Sequence, residues 1–321
     1  MRIKSISVSF LIIALLLLTT IGFSGVAQQK GGTLTIASGQ NFVDLNPMVS
    51  DMTYDYYVTN QIFDALITEN PEDLTPEPLL AKSWEYSDDK SEITFHLREG
   101  IKFHNGEDLT AEDVAFTYNW TIDPENASKK ASQYDWLKRA EVVDEYTVKL
   151  IQKEEFVPYA PALARTNLGI VPKDTFQEMG REKFNREPVG SGPFKFEEWK
   201  KGDRLTVVQN ENYWLKEPNL YKVAFRPIPK LATMMLELQK GGVDITDTIE
   251  PVQVPKFQNM SNVEVQQTPG LTYFYVAFNM SRLPYSSYMF RKAVYMSFSM
   301  DEAINSIFNA TAKTASRAYG A

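Results

Sequence analysis

Two histidines, one serine set between glycines and 41 carboxylates are the first side chains to weigh for bond-making chemistry in this 321-residue sequence. His96 falls in Glu92-Ile93-Thr94-Phe95-His96-Leu97-Arg98, a period-two strand pattern, and His104 in the turn Lys102-Phe103-His104-Asn105-Gly106. Neither lies in a helical metal-binding spacing such as two His four residues apart with a Glu between, which sets both imidazoles on one face. Ser191 lies in Val189-Gly190-Ser191-Gly192-Pro193-Phe194. A nucleophile elbow requires Gly-x-Ser-x-Gly at a strand-to-helix turn. Two Gly and a Pro in five residues instead describe a backbone turn. There is no phosphate-cradling glycine loop ending in Lys-Ser or Lys-Thr, and with no cysteine there is no thiolate nucleophile. Most acids sit at helix starts or in turns, where capping and solvation explain them. A glycosidase-like pair of carboxylates stays open as an alternative, and it requires two acids facing each other in one pocket.

The elements that must position these residues are mixed. Thr33–Ala37 alternates as a strand, and Asp51–Ile67 has a helical stripe of Tyr54, Val58, Ile62 and Leu66. Pro71, Pro76 and Pro78 then break the chain. After the strand 92–98, Thr110-Ala111-Glu112-Asp113 starts a helix carrying Val114, Tyr118 and Ile122, which Asp123-Pro124 closes. Residues 125 to 140 read as a loop or short helix with Tyr134 and Trp136 as isolated aromatics. Further strands are expected at Thr147–Ile151, Lys195–Trp199, Leu205–Gln209, Tyr221–Pro227 and Thr272–Asn279, and helices at Leu231–Gly241, from Ser286 or Ser287 through Val294, and after Ser299-Met300-Asp301-Glu302. No repeat and no Gly/Ser/Pro-rich linker interrupts them. An α/β or α+β fold of more than one interleaved lobe is predicted.

Arg2 and Lys4 precede an unbroken apolar run from Phe10 to Leu18, and Gly25 and Ala27 place small residues ahead of Gln28. That is a signal-peptide pattern over 1–27, with a run too short for a comfortable span. The predicted location is periplasmic or extracellular, or membrane-anchored where the signal stays uncleaved. Without cysteine, stability there rests on buried apolar area alone. A net charge of −8 argues against nucleic acid as a partner. Aromatics make up 12% of the chain, enough to fill a core and also line a cleft.

Several stretches together resemble the bacterial extracellular solute-binding proteins of family 5, which serve dipeptide, oligopeptide and nickel ABC importers. They are Leu80-Ala81-Lys82-Ser83-Trp84-Glu85, Ile93 to Gly106 (ITFHLREGIKFHNG), Leu109-Thr110-Ala111-Glu112-Asp113-Val114, Pro188 to Phe194 (PVGSGPF), Asn212-Tyr213-Trp214 and Arg291-Lys292-Ala293-Val294. The resemblance implies an α/β, periplasmic-binding-protein-like (type II) fold of interleaved lobes, with mixed sheets flanked by helices. It implies no cofactor and no enzymatic activity. Lobe I is expected at 31–75 and 189–282, lobe II as an insertion at 76–188, and a lobe III only begun at 283–321. The expected function is reversible capture of a peptide or similar solute, by a protein monomeric at full length that docks on the ABC permease of the inner membrane. An oligosaccharide or a nickel chelate is the alternative cargo, and an exported carboxylate hydrolase the more distant one.

Candidate solute contacts are Gln40, Asn41 and Phe42, which follow the first strand where α/β sheets place ligands. Tyr273 and Tyr275 share one face of the 272–279 strand. By resemblance, Tyr134 and Trp136 of the inserted lobe and Arg165 join them. The 93–114 run is expected to be structural. With lobe III incomplete, the 321-residue chain is expected to bind solute weakly, because small-ligand sites enclose ~70–90% of the ligand. Val294, Ile304, Ile307 and Phe308 are then expected to lie uncovered.

Overall fold

A computed structural model describes residues 31–153, 159–166, 168–247, 249–267, 277–297 and 299–307. The proposed signal segment and the pair Tyr273 and Tyr275 lie outside the described residues. Eleven strands are found there. They are β1 (Thr33–Ser38), β2 (Ile67–Glu69), β3 (Pro76–Pro78), β4 (Ala81–Tyr86), β5 (Glu92–Leu97), β6 (Leu137–Asp144), β7 (Thr147–Gln152), β8 (Phe194–Lys200), β9 (Arg204–Gln209), β10 (Lys222–Pro227) and β11 (Ile245–Thr246). The helices are α1 (Thr53–Ile62), α2 (Ala111–Ile122), α3 (Tyr159–Thr166), α4 (Lys173–Met179), α5 (Arg181–Phe184), α6 (Leu231–Lys240), α7 (Val254–Gln258), α8 (Tyr288–Met296) and α9 (Met300–Ile307). A five-stranded sheet runs β11-β1-β10-β9-β8, a four-stranded sheet runs β4-β5-β7-β6, and β2 pairs with β3.

Chain contacts divide the protein into two compact units, both discontinuous in sequence. Of the described residues, the first holds those in 31–34, 44–199 and 206–224; the second holds those in 35–43, 200–205 and 225–307.

Within the first unit, β5 alternates Ile93, Phe95 and Leu97 inward, and all three are fully buried. Its antiparallel partner β7 sets Leu150 opposite Ile93 and Val148 opposite Phe95. Helix α2 packs on β6 and β7 with Val114 and Tyr118 turned into that core. The other sheet face is polar: Lys149 pairs with Glu92 at 2.8 Å, and His96 lies 3.6 Å from Glu85. Asp113 fixes both ends of this packing. Its carboxylate accepts the Thr110 N–H at the start of α2 and the Lys173 N–H at the start of α4, both at 2.9 Å. Thr117 of α2 accepts the Val171 N–H at 3.0 Å and ties the same two segments again.

In the second unit, β1 and β11 run parallel, with Ile36 opposite Ile245 and Ala37 opposite Thr246. Asp244 locks that register by accepting the Thr35 N–H at 2.7 Å and donating its own N–H to the Thr35 carbonyl at 2.8 Å. A small core of Ala37, Ile228, Met234, Met235, Val243 and Phe257 lies under α6 and α7. On α8 the exposed apolar residues are Tyr288, Met289, Tyr295 and Met296, whereas Val294 there and Ile304 on α9, expected to lie uncovered, are half-buried; the Ile307 side chain and Phe308, of the same expectation, lie outside what is described.

The helix expected over 51–67 is shorter than its pattern. Helix α1 stops at Ile62, and Phe63 turns to extended backbone. The reason is a loop from far along the chain. Gly192 donates its N–H to the Ile62 carbonyl at 2.8 Å, and a Cβ at Gly190 would stand 2.1 Å from that same oxygen. Only glycine permits so close an approach. Substituting Gly190→Ala is expected to lower unfolding stability by about 3 kcal/mol, from overpacking against fixed backbone. Gly202→Ala, with open space but φ of +79°, should lose only ~1 kcal/mol from its left-handed backbone. Urea unfolding of the two variants is the comparison.

Candidate functional site

The glycine turn that ends α1 also closes a buried polar cluster. Asp64, two residues past the helix, is 4% exposed. Its carboxylate accepts hydrogen bonds from the Tyr213 hydroxyl at 2.9 Å, the Trp214 indole N–H at 2.9 Å and the Ser191 hydroxyl at 3.1 Å. Burial pushes the Asp64 carboxyl above its ordinary range, and the three donors pull it partly back. Arg98 stacks over the Trp214 ring at 5.6 Å and donates from Nε to the Leu79 carbonyl at 2.8 Å.

His104 holds the other side of the turn. Its N–H donates to the Gly190 carbonyl at 2.8 Å, its Nε2 donates to the Gly192 carbonyl at 3.0 Å, and its Nδ1 accepts from the Gly190 N–H. One donor and one acceptor define the neutral imidazole. Burial agrees, holding the ring down to about 4. Asn210 completes the turn by donating Nδ2 to the Gly192 carbonyl at 3.0 Å. Ser191 therefore donates to a carboxylate while the histidine engages the flanking glycine backbone. No serine–histidine pair is assembled here, and the cluster is fitted to hold backbone in place.

The sequence candidates are distributed between the units. Gln40 and Asn41 are exposed just past β1, and the Gln40 carbonyl accepts the Ser38 hydroxyl at 3.0 Å. Because β1 and β11 are parallel, Asp247 leaves β11 at the same end, and it too is exposed. Phe42 is buried edge-on against Phe225 at 6.0 Å. These belong to the second unit. In the first, Tyr134 is 1% exposed and packs edge-on to Tyr118, and Trp136 is half-buried beside it. Arg165 lies on α3. Trp120 is covered by Phe176 and the Arg181 guanidinium. Among the described residues, no group of three or more His, Asp or Glu side chains has the arrangement of a metal site.

Sequence reading missed Asp64 because it sat inside the helix expected to Ile67. The available signal was a single acid in the apolar run Ile62-Phe63-Asp64-Ala65-Leu66-Ile67, which burial must either pair or neutralise.

A two-unit, discontinuous α/β chain whose buried polar residues serve its own backbone is the build of a type II periplasmic-binding protein. The family model "Bacterial extracellular solute-binding proteins, family 5 Middle" matches residues 75–320, and the chain belongs to that family. It is 28% identical over 318 residues to the probable D,D-dipeptide-binding periplasmic protein DdpA of Escherichia coli K12, covering 97% of this chain and 61% of that one. It is 27% identical over 278 residues to heme-binding protein A of Haemophilus influenzae, covering 80% of this chain and 51% of the relative. Among solved structures, the periplasmic binding protein DppA of Helicobacter pylori, in complex with the peptide STSA, superposes with a TM-score of 0.79 at 26% identity, covering 88% of this chain and 59% of that one. The chain thus spans about half to three-fifths of the length of these relatives. Among the described residues no helix is long and apolar enough to cross a membrane.

The raised Asp64 carboxyl makes stability depend on pH. A group whose folded value lies above its unfolded one stabilises fully below the unfolded value, ordinarily 3.8, and loses that contribution as pH rises through the folded value. Wild type is therefore expected to lose stability relative to Asp64→Asn as pH rises from about 4 towards neutrality. Urea midpoints of the two proteins across that range test it; a constant difference would contradict it.

Proposed function

We propose that this protein is the extracytoplasmic solute-capturing component of an ABC importer, and that its cargo is a peptide. The observation that carries the reading is where polar residues are spent. Asp64, His104, Ser191, Asn210, Tyr213 and Trp214 are engaged by the protein's own groups. Gln40 and Asn41 stand exposed beyond the C-terminal end of β1, where open α/β sheets place ligands. Amide side chains suit the N–H and C=O groups of a peptide backbone. The dipeptide-binding name of one relative and the peptide bound in the Helicobacter structure support this cargo.

On this reading residues 31–75 with 189–282 form one lobe and 76–188 a second, with 283–321 leading into a third. The four-stranded sheet falls wholly within the second. Residues 1–27 direct export and the mature chain begins near Gln28. Capture proceeds by closure of lobes over the solute, and the closed form docks on the permease. No bond is made or broken.

A tetrapeptide bearing a photoreactive group at its amino terminus tests the reading without requiring tight binding. Labelling is expected within residues 31–82, competed by excess unlabelled peptide and reduced at least fivefold in the Gln40→Ala/Asn41→Ala double variant. Competition by a disaccharide or by haem, but not by peptide, would overturn the peptide assignment. Labelling unchanged in the double variant would overturn the location.

A further inference from the structure

Lys130 is the one lysine whose side chain the described structure buries completely, with 0% exposure. Its ammonium nitrogen has no hydrogen-bond acceptor. What it meets is the face of the Tyr56 ring from α1, 4.7 Å from the centroid. The residue sits in a short turn with local ties. Ser128 donates its hydroxyl to the Met48 carbonyl at 2.6 Å, the Lys130 N–H donates to the Ser128 hydroxyl, and the Gln133 N–H donates to the Lys130 carbonyl at 3.0 Å. The turn leads straight into the buried Tyr134 and half-buried Trp136.

A buried ammonium without an acceptor or counter-ion is strongly disfavoured, and an aromatic face compensates only in part. The charged and titratable groups around it do not supply the counter-ion. From α1 comes Tyr56, whose hydroxyl feels Asp51 and Asp55; Asp55 is itself engaged by the Ser50 hydroxyl at 2.5 Å. From its own segment come the exposed Lys129 and Asp135. None of these acids shifts the amine, which is displaced by desolvation alone.

We propose that residues 128–136 form a latch that stays shut while the buried Lys130 amine is uncharged and is released by proton uptake. Closing the latch excludes a proton, and opening it readmits one. When open, Lys130 regains water and its ordinary value of 10.5; when shut, burial pushes it down to about 7. Between those limits the open state binds one proton more than the shut state. Each unit of falling pH therefore favours opening about tenfold, and the effect levels off below about 7. The opened segment would uncover Tyr134 and Trp136. This inference does not rest on the peptide reading, since it concerns one segment of the first unit and no solute.

Amide hydrogen exchange on the full chain reads the latch directly. Intrinsic exchange rises about tenfold per pH unit, and local opening multiplies it. For Ala131 and Gln133, whose N–H groups bond within the turn, the two dependences should cancel. Their exchange is expected to stay flat between pH 7.5 and 9.5 (about 100-fold below a simple extrapolation), while exchange in β5 rises normally. In Lys130→Met, which fills the site without a charge, the turn amides should recover the tenfold rise per unit. A tenfold rise per unit in wild type would overturn the proposal whether or not the variant folds. A flat profile that persists in Lys130→Met would overturn it as well.

Discussion

The carboxylate of Asp64 lies where water does not reach it, and three donors from segments more than a hundred residues later close around it. That constraint fixes much of the first unit. To present Ser191, the chain must bring Gly190 and Gly192 against the last carbonyl of α1, which no side chain permits. To present Tyr213 and Trp214, the segment after β9 must return to the same point. Losing any one donor leaves a buried carboxyl oxygen short of a partner, which costs stability.

The stretches that resemble the family are joined to one another through contacts of this kind. The strand-turn run contributes Arg98 and His104, the glycine turn contributes Ser191 and two backbone carbonyls, and the Asn-Tyr-Trp triplet contributes two donors. The Leu-Thr-Ala-Glu-Asp-Val stretch contributes Asp113, which joins the starts of α2 and α4. A scaffold held this way is compatible with relatives named for cargoes as different as a dipeptide and haem.

Legibility in the sequence followed locality. Strand β5, helix α2 with its Thr110 start and helix α6 are encoded by periodicity and caps, and each lies within about a residue of its pattern. The end of α1 was not legible, because Leu66 continues the stripe and the reason for stopping at Ile62 is a glycine loop near position 190. Strand β6 overlaps the stretch 125–140 expected as a loop or short helix: its burial is limited to Leu137 and Ala140, so the alternation that marks a strand is absent. Helices α3 to α5 lay in a stretch given no assignment. Of the solute candidates, Gln40 and Asn41 are exposed past the end of β1, whereas Phe42 and Tyr134 are packed inside. Periodicity reports that an aromatic is apolar but not which neighbour it will find.

The central claim is that Asp64 and its donors form one coupled structural unit and not a solute site. A double-mutant cycle in unfolding free energy between Asp64→Ala and Trp214→Phe tests it most directly. Coupling above ~1 kcal/mol, with peptide photolabelling retained in Trp214→Phe, is the predicted result. Additivity within ~0.5 kcal/mol, together with loss of peptide labelling in Trp214→Phe, would contradict the account.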